Sequence, residues 1–335
     1  MSEFKLTTVE EFEAATARLL ETGAKVGADS WQMRVKNQTP HCKFGEQGVC
    51  CRICSMGPCR ITPKAPRGIC GCDVHGIVGR NFLRFTAGGA ATHSDHGREI
   101  CITLGHAKEG GDYQVKDPEK LIRIAKEWGV ETEGKDIYDL AHEMSDLAQE
   151  EYGKIRGVSR WLKRAPQHTQ DLWHAAGIEP RAIDREVSCA MHMTHMGNTS
   201  KPEALIRQAL RNGLSDGWGG SMCGTEFSDV LFGTPKPIET EANLGVMNAE
   251  NVNIVVHGHD PSLSEMICEY ADSKEMIDYA KSMGAKGITV SGVCCTSNEV
   301  AMRRGIPMAG NFLQQENVVL TGACEAIVVD VQCIF

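Results

Sequence analysis

Apolar residues recur at steps of three and four through most of the first two-thirds of the chain. Ile137, Leu140, Met144 and Leu147 mark one predicted helix; Leu205, Ile206 and Leu210 mark another, which Gly213 is expected to stop. Near the start, Thr8 to Leu20 reads as an opening helix. Thr8 and Glu11 match a capping box, Val9, Phe12 and Leu19 share a face, and Gly23 is expected to end it. After Thr234-Pro235-Lys236-Pro237 the pattern changes. Short apolar runs over 251–256, 287–293 and 326–331 read as strands, with helices over 263–283 and 298–304 between them. Alternation of this kind predicts a parallel, Rossmann-like sheet. The predicted class is therefore α + α/β: a mainly helical domain over 1–235, then an incomplete Rossmann-like domain over 236–335. No G-x-G-x-x-G follows any predicted strand, so no nucleotide is implied. The last predicted strand lies next to Phe335, which would leave a sheet edge uncovered, and a portion of something longer is expected.

Length agrees with two domains, since 335 residues exceed a single average core. A net charge of −9 argues against binding a phosphate backbone, which needs a basic footprint, so no nucleic-acid partner is expected. The basic residues Lys154, Arg156, Arg160, Lys163 and Arg164 read as a solvated helix face. No stretch approaches the roughly 18 apolar residues of a membrane span. Met1 to Leu20 carries four glutamates and no apolar h-region, unlike a signal peptide. The expectation is a cytoplasmic protein.

Fifteen cysteines then need an explanation other than disulfides, which a reducing compartment disfavours. Seven of them fall between Cys42 and Cys72, so ligation of metal or clusters is the better reading. Cys51, Cys54, Cys59 and Cys70 give C-x2-C-x4-C-x10-C in a loop over 42–72 rich in glycine. Four thiolates in a compact loop suit a cubane iron–sulfur cluster. A zinc knuckle usually shows two paired hooks, and only one is present. Cys42 and Cys50 form a second pair that cannot complete a four-thiolate site alone. Either they are spare thiols, or two chains meet and each contributes a pair on a two-fold axis.

In the second domain each predicted strand leads into soft or borderline donors. His257-Gly258-His259 follows the first, Cys294-Cys295 the second, and Cys333 the third. Ligands of open α/β sheets bind at the carboxyl ends of strands. One imidazole and two thiolates converging there describe a partial site for iron, nickel or zinc. Taken singly, each donor would be an ordinary buried cysteine or a satisfied histidine.

The loop with Cys50-Cys51-Arg52-Ile53-Cys54 and Gly57-Pro58-Cys59-Arg60 resembles the cluster loop of nickel-containing anaerobic carbon monoxide dehydrogenases. The same holds for Ser228-Asp229-Val230-Leu231-Phe232-Gly233-Thr234-Pro235, Glu241-Ala242-Asn243-Leu244-Gly245, His257-Gly258-His259 and Asp330-Val331-Gln332-Cys333. The resemblance runs over essentially the whole chain and about the first half of that family's polypeptide. It implies that Cys51, Cys54, Cys59 and Cys70 hold a 4Fe-4S cubane, the B cluster. It implies that Cys42 and Cys50, with their symmetry mates, hold a second 4Fe-4S centre, the D cluster, making a homodimer. His259 and Cys295 would bind the outlying iron of a nickel–iron–sulfur C cluster and Cys333 an iron of its cubane part, with Cys294 and His257 as neighbours.

The implied reaction is CO + H2O ⇌ CO2 + 2H+ + 2e−, with electrons leaving by the B and D clusters to a ferredoxin-like carrier; an acetyl-CoA synthase is a candidate partner. His93 resembles the acid/base, His96 lies one turn further on, and Asp216 resembles the acidic partner within a variable Gly217–Gly220 loop. Where the family continues its histidine ladder this chain has Glu99 and Ile102, and His192 and His195 read as structural. The remaining C-cluster thiolates and a catalytic lysine would lie beyond Phe335, so the chain alone is expected to be poorly active or inactive. Two other readings stand beside this one: a non-catalytic iron–sulfur dimer, and a hybrid-cluster hydroxylamine reductase.

Overall fold

The computed structural model describes residues 9–196 and 198–334, with side chains from Ala14 onward. The Thr8–Glu11 capping box lies outside the described residues. Two compact units emerge: one joins the stretch up to Pro40 to residues from Pro235 on, and the other spans His41–Thr234. The boundary at Pro235 matches the change of periodicity. Residues 9–40, expected in the helical domain, belong instead with the sheet.

They do so through side chains. Helix α1 (Val9–Lys25) does not stop at Gly23. That glycine is buried, and a Cβ there would come 2.8 Å from Leu320 Cδ2, so its bareness admits a neighbouring helix. Helix α2 (Trp31–Asn37) is capped by Ser30, and the Trp31 indole donates to Leu313 O at 2.7 Å. Arg34 and the Trp31 N–H both bond to Glu316.

In the helical unit, the short α3 (Lys43–Glu46) is followed by a two-residue ribbon, β1 (Cys50–Cys51) against β2 (Cys59–Arg60). Helix α4 (Val74–Gly105) has 32 residues, about 48 Å. Asp73 caps it by accepting from Gly76 N. The other helices of this unit are α5 (Pro118–Glu127), α6 (Ile137–Gly153), α7 (Gln167–Ala176), α8 (Ile183–Thr194), α9 (Pro202–Ser215) and α10 (Met222–Phe232); α6, α8, α9 and α10 pack against α4, and α5 against α6 and α10. Leu140 and Met144 face the core as expected, joining Ile100, Leu104, Leu121, Trp161 and Phe227.

Gly213 does not end its helix. The chain runs from α9 through a π-helical turn, Asp216–Ser221, straight into α10. Burial of Leu205, Ala209 and Ser215 outweighs the roughly 1 kcal/mol helix cost of one glycine. Ile206 and Leu210 stay 39% and 50% exposed, so the buried stripe is rotated from the one the apolar residues suggested.

The basic stretch is not a helix face. It spans the end of α6, a loop and a 3-10 turn, Arg160–Arg164. Lys154 and Arg160 pair with the buried Glu151, and Arg164 pairs with Glu127 and Glu226. Arg160 also lies over the Trp128 ring. Only Arg156 and Lys163 are solvated.

The other unit holds a four-stranded parallel sheet rather than three strands. Strands β3 (Val252–Gly258), β4 (Ile288–Val293), β5 (Met308–Gly310) and β6 (Ala326–Val329) stand in the order β5-β4-β3-β6. The missed strand, β5, is three residues long, too short for a period. Residues Glu241–Asn243 pair along its outer side. The single helix expected over 263–283 is two, α11 (Pro261–Ala271) and α12 (Lys274–Ser282), because Ser273 caps a new start. Helix α13 (Cys294–Arg304) begins directly at the cysteine pair, and α14 (Gln315–Leu320) precedes β6. The chain runs outward from β3 to β4 to β5, then returns to lay β6 on the other side of β3. This reversal is a topological switch point.

Candidate metal centres

The ribbon organises the cysteine loop. Cys51 stands opposite Cys59, and Cys50 opposite Arg60. Successive strand residues point to opposite faces, so the pleat separates the adjacent Cys50 and Cys51. Cys51, Cys54, Cys59 and Cys70 line one hollow, closed by Ile53, Ile69, Ile77 and Met196. A turn bonded from Gly71 N to Gly68 O and from Gly68 N to Cys72 O brings in Cys70. Gly68 also packs against Cys59: a Cβ there would lie 3.5 Å from its sulfur.

Donors aim at these sulfurs. Ile69 N donates to Cys59 Sγ and Arg80 Nη1 to Cys70 Sγ, both at 3.4 Å. Arg80 is almost fully buried and is fixed by two bonds to Thr199 O. Hydrogen bonds to sulfur are the contacts by which a protein holds and tunes an iron–sulfur cluster, so the donor set fits one. Arg80 carries no local sequence signal; only the fold brings it to the loop. Cys72 is buried in the same region, and its desolvation raises the thiol pKa, suiting a neutral side chain.

Cys50 opens on a different groove, shared with Arg52, Asn81 and Phe85. Asn81 Nδ2 donates to Cys50 O and Gly48 O, tying this edge to α4. Cys42 stands immediately before α3 and is exposed. Val78, Phe82 and Phe85, at helical spacing on α4, are exposed, Phe85 to 81%.

At the switch point of the sheet, His259, Cys294 and Cys333 each place a ligand atom within 4.8 Å of the others. Cys295, which the resemblance named as ligand, is exposed and outside this group, but its thiol is hydrogen bonded to Cys294. That bond lowers the Cys295 pKa and raises that of Cys294, so Cys295 is the more acidic of the pair. Burial pushes Cys333 up to about 11.

Backbone geometry here is unusual. Among the described residues, the non-glycine positions with positive φ are Cys294, Gln332 and Cys333. Left-handed conformations cost about 1–2 kcal/mol each for such residues, and strain of this kind concentrates at functional sites. His257, fully buried, does not join the donor group. Its Nε2 faces Cys333 O at 3.2 Å and Gln315 Oε1 at 3.1 Å, so it holds the 330–333 turn to the sheet.

In the helical unit, His93 on α4 hydrogen bonds through Nδ1 to Asp216, the first residue of the π-helical turn. The Gly217–Gly220 stretch is thus no loop. π-turns often mark functional positions, and this one lies tight on α4: a Cβ at Gly220 would sit 2.8 Å from His93 O. His96 is buried beside Gly224, where a Cβ would come 3.2 Å from its ring. Glu99 is exposed, and Ile102 is half-buried. His192 bonds to Asn198.

One mainly helical unit with a four-thiol hollow, and another whose parallel sheet gathers imidazole and thiols at its carboxyl edge, define the class of a cluster-binding metalloprotein. The chain belongs to the Prismane/CO dehydrogenase family, whose model matches residues 49–335. It is 48% identical over 327 residues to carbon monoxide dehydrogenase 1 of Methanosarcina mazei, covering 96% of this chain and 52% of that protein. A nickel-free crystal structure of carbon monoxide dehydrogenase from Thermococcus sp. AM4 superposes with a TM-score of 0.91 at 49% identity, over 95% of this chain and 51% of that one. A structure of acetyl-CoA synthase/carbon monoxide dehydrogenase also gives 0.91, at 40% identity, over 96% and 49% of the two chains. The chain spans about half the length of the curated relatives it matches. Among the described residues no helix is long and apolar enough to cross a membrane.

Proposed function

We propose that this chain carries the iron–sulfur wiring and part of the active-site metal shell of a nickel–iron carbon monoxide dehydrogenase, an oxidoreductase interconverting CO and water with CO2, two protons and two electrons. The observation that carries this reading is the meeting of His259, Cys294 and Cys333 at the switch point of the sheet, with Cys295 the next residue along the chain.

When bound, a nickel–iron–sulfur centre supplies a CO-binding metal and a water acidified by iron. His259 and Cys295 would hold its outlying iron and Cys333 an iron of its cubane, with Cys294 as hydrogen-bond donor to Cys295. Cys51, Cys54, Cys59 and Cys70 would hold the B cluster, their sulfurs met by Ile69 N and Arg80. Cys42 and Cys50, with those of a second copy, would hold the D cluster. The apolar stripe Val78, Phe82, Phe85 beside Cys50 supports a homodimer on that face. His93 would take and release protons at Nε2, since Nδ1 is engaged by Asp216, and His96 one turn on would extend the route. A ferredoxin-like carrier would accept the electrons. An acetyl-CoA synthase partner is supported by the likeness to the bifunctional complex.

The test is anaerobic metal analysis with CO-dependent viologen reduction, on this chain and on a polypeptide of its relatives' full length. Nickel and turnover in the longer form support the reading; iron without nickel and no turnover in either form defeat it. In the longer form, Cys295→Ser should remove turnover and Cys294→Ser only lower it. The reverse order would make Cys294 the ligand.

A further inference from the structure

His259 and Cys333 sit on turns that follow two neighbouring strands, β3 and β6, and nothing in strand pairing alone aims their side chains at one another. One side chain joins the two turns. Asp330, just past β6, accepts backbone N–H groups from His259, Asp260 and Val331, all on the same atom, Oδ1. Its own N–H donates to His257 O, extending the β3–β6 ladder by one rung. The carboxylate fills the space where residue 258 would carry a side chain: a Cβ on Gly258 would lie 1.9 Å from Oδ1, and Gly258 has φ of +140°. Beyond Val331, the left-handed Gln332 and Cys333 turn the chain back, so that Cys333 O reaches His257 Nε2 and Gln315 Nε2. The turn bearing Cys333 is thereby pinned at both ends, by Asp330 in front and by His257 with Gln315 behind.

We propose that Asp330, locked against Gly258, is the positioning residue of the sheet-edge metal centre: its Oδ1 holds the His259 and Cys333 turns in one register so that both donors meet a single soft or borderline divalent metal. This rests on the reading that His259 and Cys333 hold metal. Outer partners that orient ligands typically contribute about 10–100-fold to metal affinity. Because one oxygen takes all three N–H groups, the position of that oxygen, more than its charge, is the property proposed to count. Asp330→Asn keeps an acceptor in place. Asp330→Glu keeps the charge but pushes the carboxylate into the Gly258 backbone. Asp330→Ala removes the acceptor.

The probe is cobalt(II), titrated anaerobically into the chain with its cysteine-loop cluster already loaded and followed by thiolate-to-cobalt charge-transfer absorption. Wild type and Asp330→Asn should bind within a few-fold of each other, while Asp330→Ala and Asp330→Glu should bind about 10–100-fold more weakly. Cysteine-loop iron content should be unchanged throughout, which reports that the helical unit is folded; the thermal melt of Asp330→Asn reports the sheet unit. Wild-type affinity in Asp330→Ala would overturn the proposal. So would retention by Asp330→Glu with loss in Asp330→Asn, which would show charge to be the active property. If the His259→Ala and Cys333→Ser variants bind cobalt as well as wild type, the metal reading fails and the positioning role falls with it.

Discussion

Cys51 stands directly across a two-residue ladder from Cys59, while its neighbour Cys50 stands across from Arg60. The alternation of one short ribbon therefore assigns two adjacent thiols to different places. Cys59→Ser should abolish the loop cluster, with a loss of roughly four irons per chain. Cys50→Ser should leave that cluster and instead lower iron by about half as much, with conversion of dimer to monomer by light scattering. Equal effects from both substitutions would mean that the ribbon does not separate two sites.

His93 and Asp216 are joined across two helices, and the pair is proposed to handle protons. In a polypeptide of the relatives' full length, Asp216→Ala should lower CO-dependent viologen reduction by about 10²–10⁴-fold, the range for positioned acid/base groups, with nickel and iron contents unchanged. Loss of metal in parallel with activity would make Asp216 a structural residue instead.

Two helical glycines should respond with opposite signs. Gly213 is exposed, with nothing near its Cβ position and a φ that is not left-handed, so Gly213→Ala should stabilise by about 0.4–1 kcal/mol. Gly97 lies where α4 meets the π-turn. A Cβ there would come 2.2 Å from Tyr152 Oη and 2.7 Å from Gly220 O, so Gly97→Ala should destabilise by about 1–3 kcal/mol. Denaturant melts of the two variants decide the matter.

Glu186 is fully buried between Arg181 and Gln208. Burial by itself would raise its pKa, but the Arg181 guanidinium, Gln208 and the Arg181 N–H together hold it below the ordinary 4.5. A depressed carboxylate adds stability that is present above its unfolded pKa and lost as pH falls through the folded one. Melts from about pH 6 down to about pH 3 should therefore show stability falling below about pH 4.5. Glu186→Gln should flatten that slope; an unchanged slope would assign the acid sensitivity elsewhere.

Much of the candidate site is local in sequence and was legible there. The spacing of Cys51, Cys54, Cys59 and Cys70 is a property of one loop. The apolar runs before His259 and Cys294 announce strands, and a strand's carboxyl end is where a parallel sheet presents ligands. The change of period after Pro237 located the sheet, and the helical steps at Leu140 and Met144 located the core.

Other features depend on what comes from far along the chain. Ile206 and Leu210 looked like core, yet Gln208 and Asn212 are buried in that helix instead, because neighbouring polar partners such as Glu186 await them. The three residues of β5 have no period of their own and exist only because β4 lies beside them. Thr8 to Leu20 reads as a helix from its own pattern, but Glu316 and Leu313, nearly 300 positions from Trp31, help decide which unit residues 9–40 join.

Sequence alone determined which donors this protein owns and which strand or loop each follows, since spacing and periodicity are written in adjacent residues. Tertiary structure alone decided which of them meet: that Cys50 and Cys51 part, that Arg80 turns to a thiol, and that Asp330 fills the space Gly258 leaves. The reason is that a hydrogen bond or a steric fit between distant segments is set by where the backbone places both partners, and neither partner's neighbours in sequence carry that information.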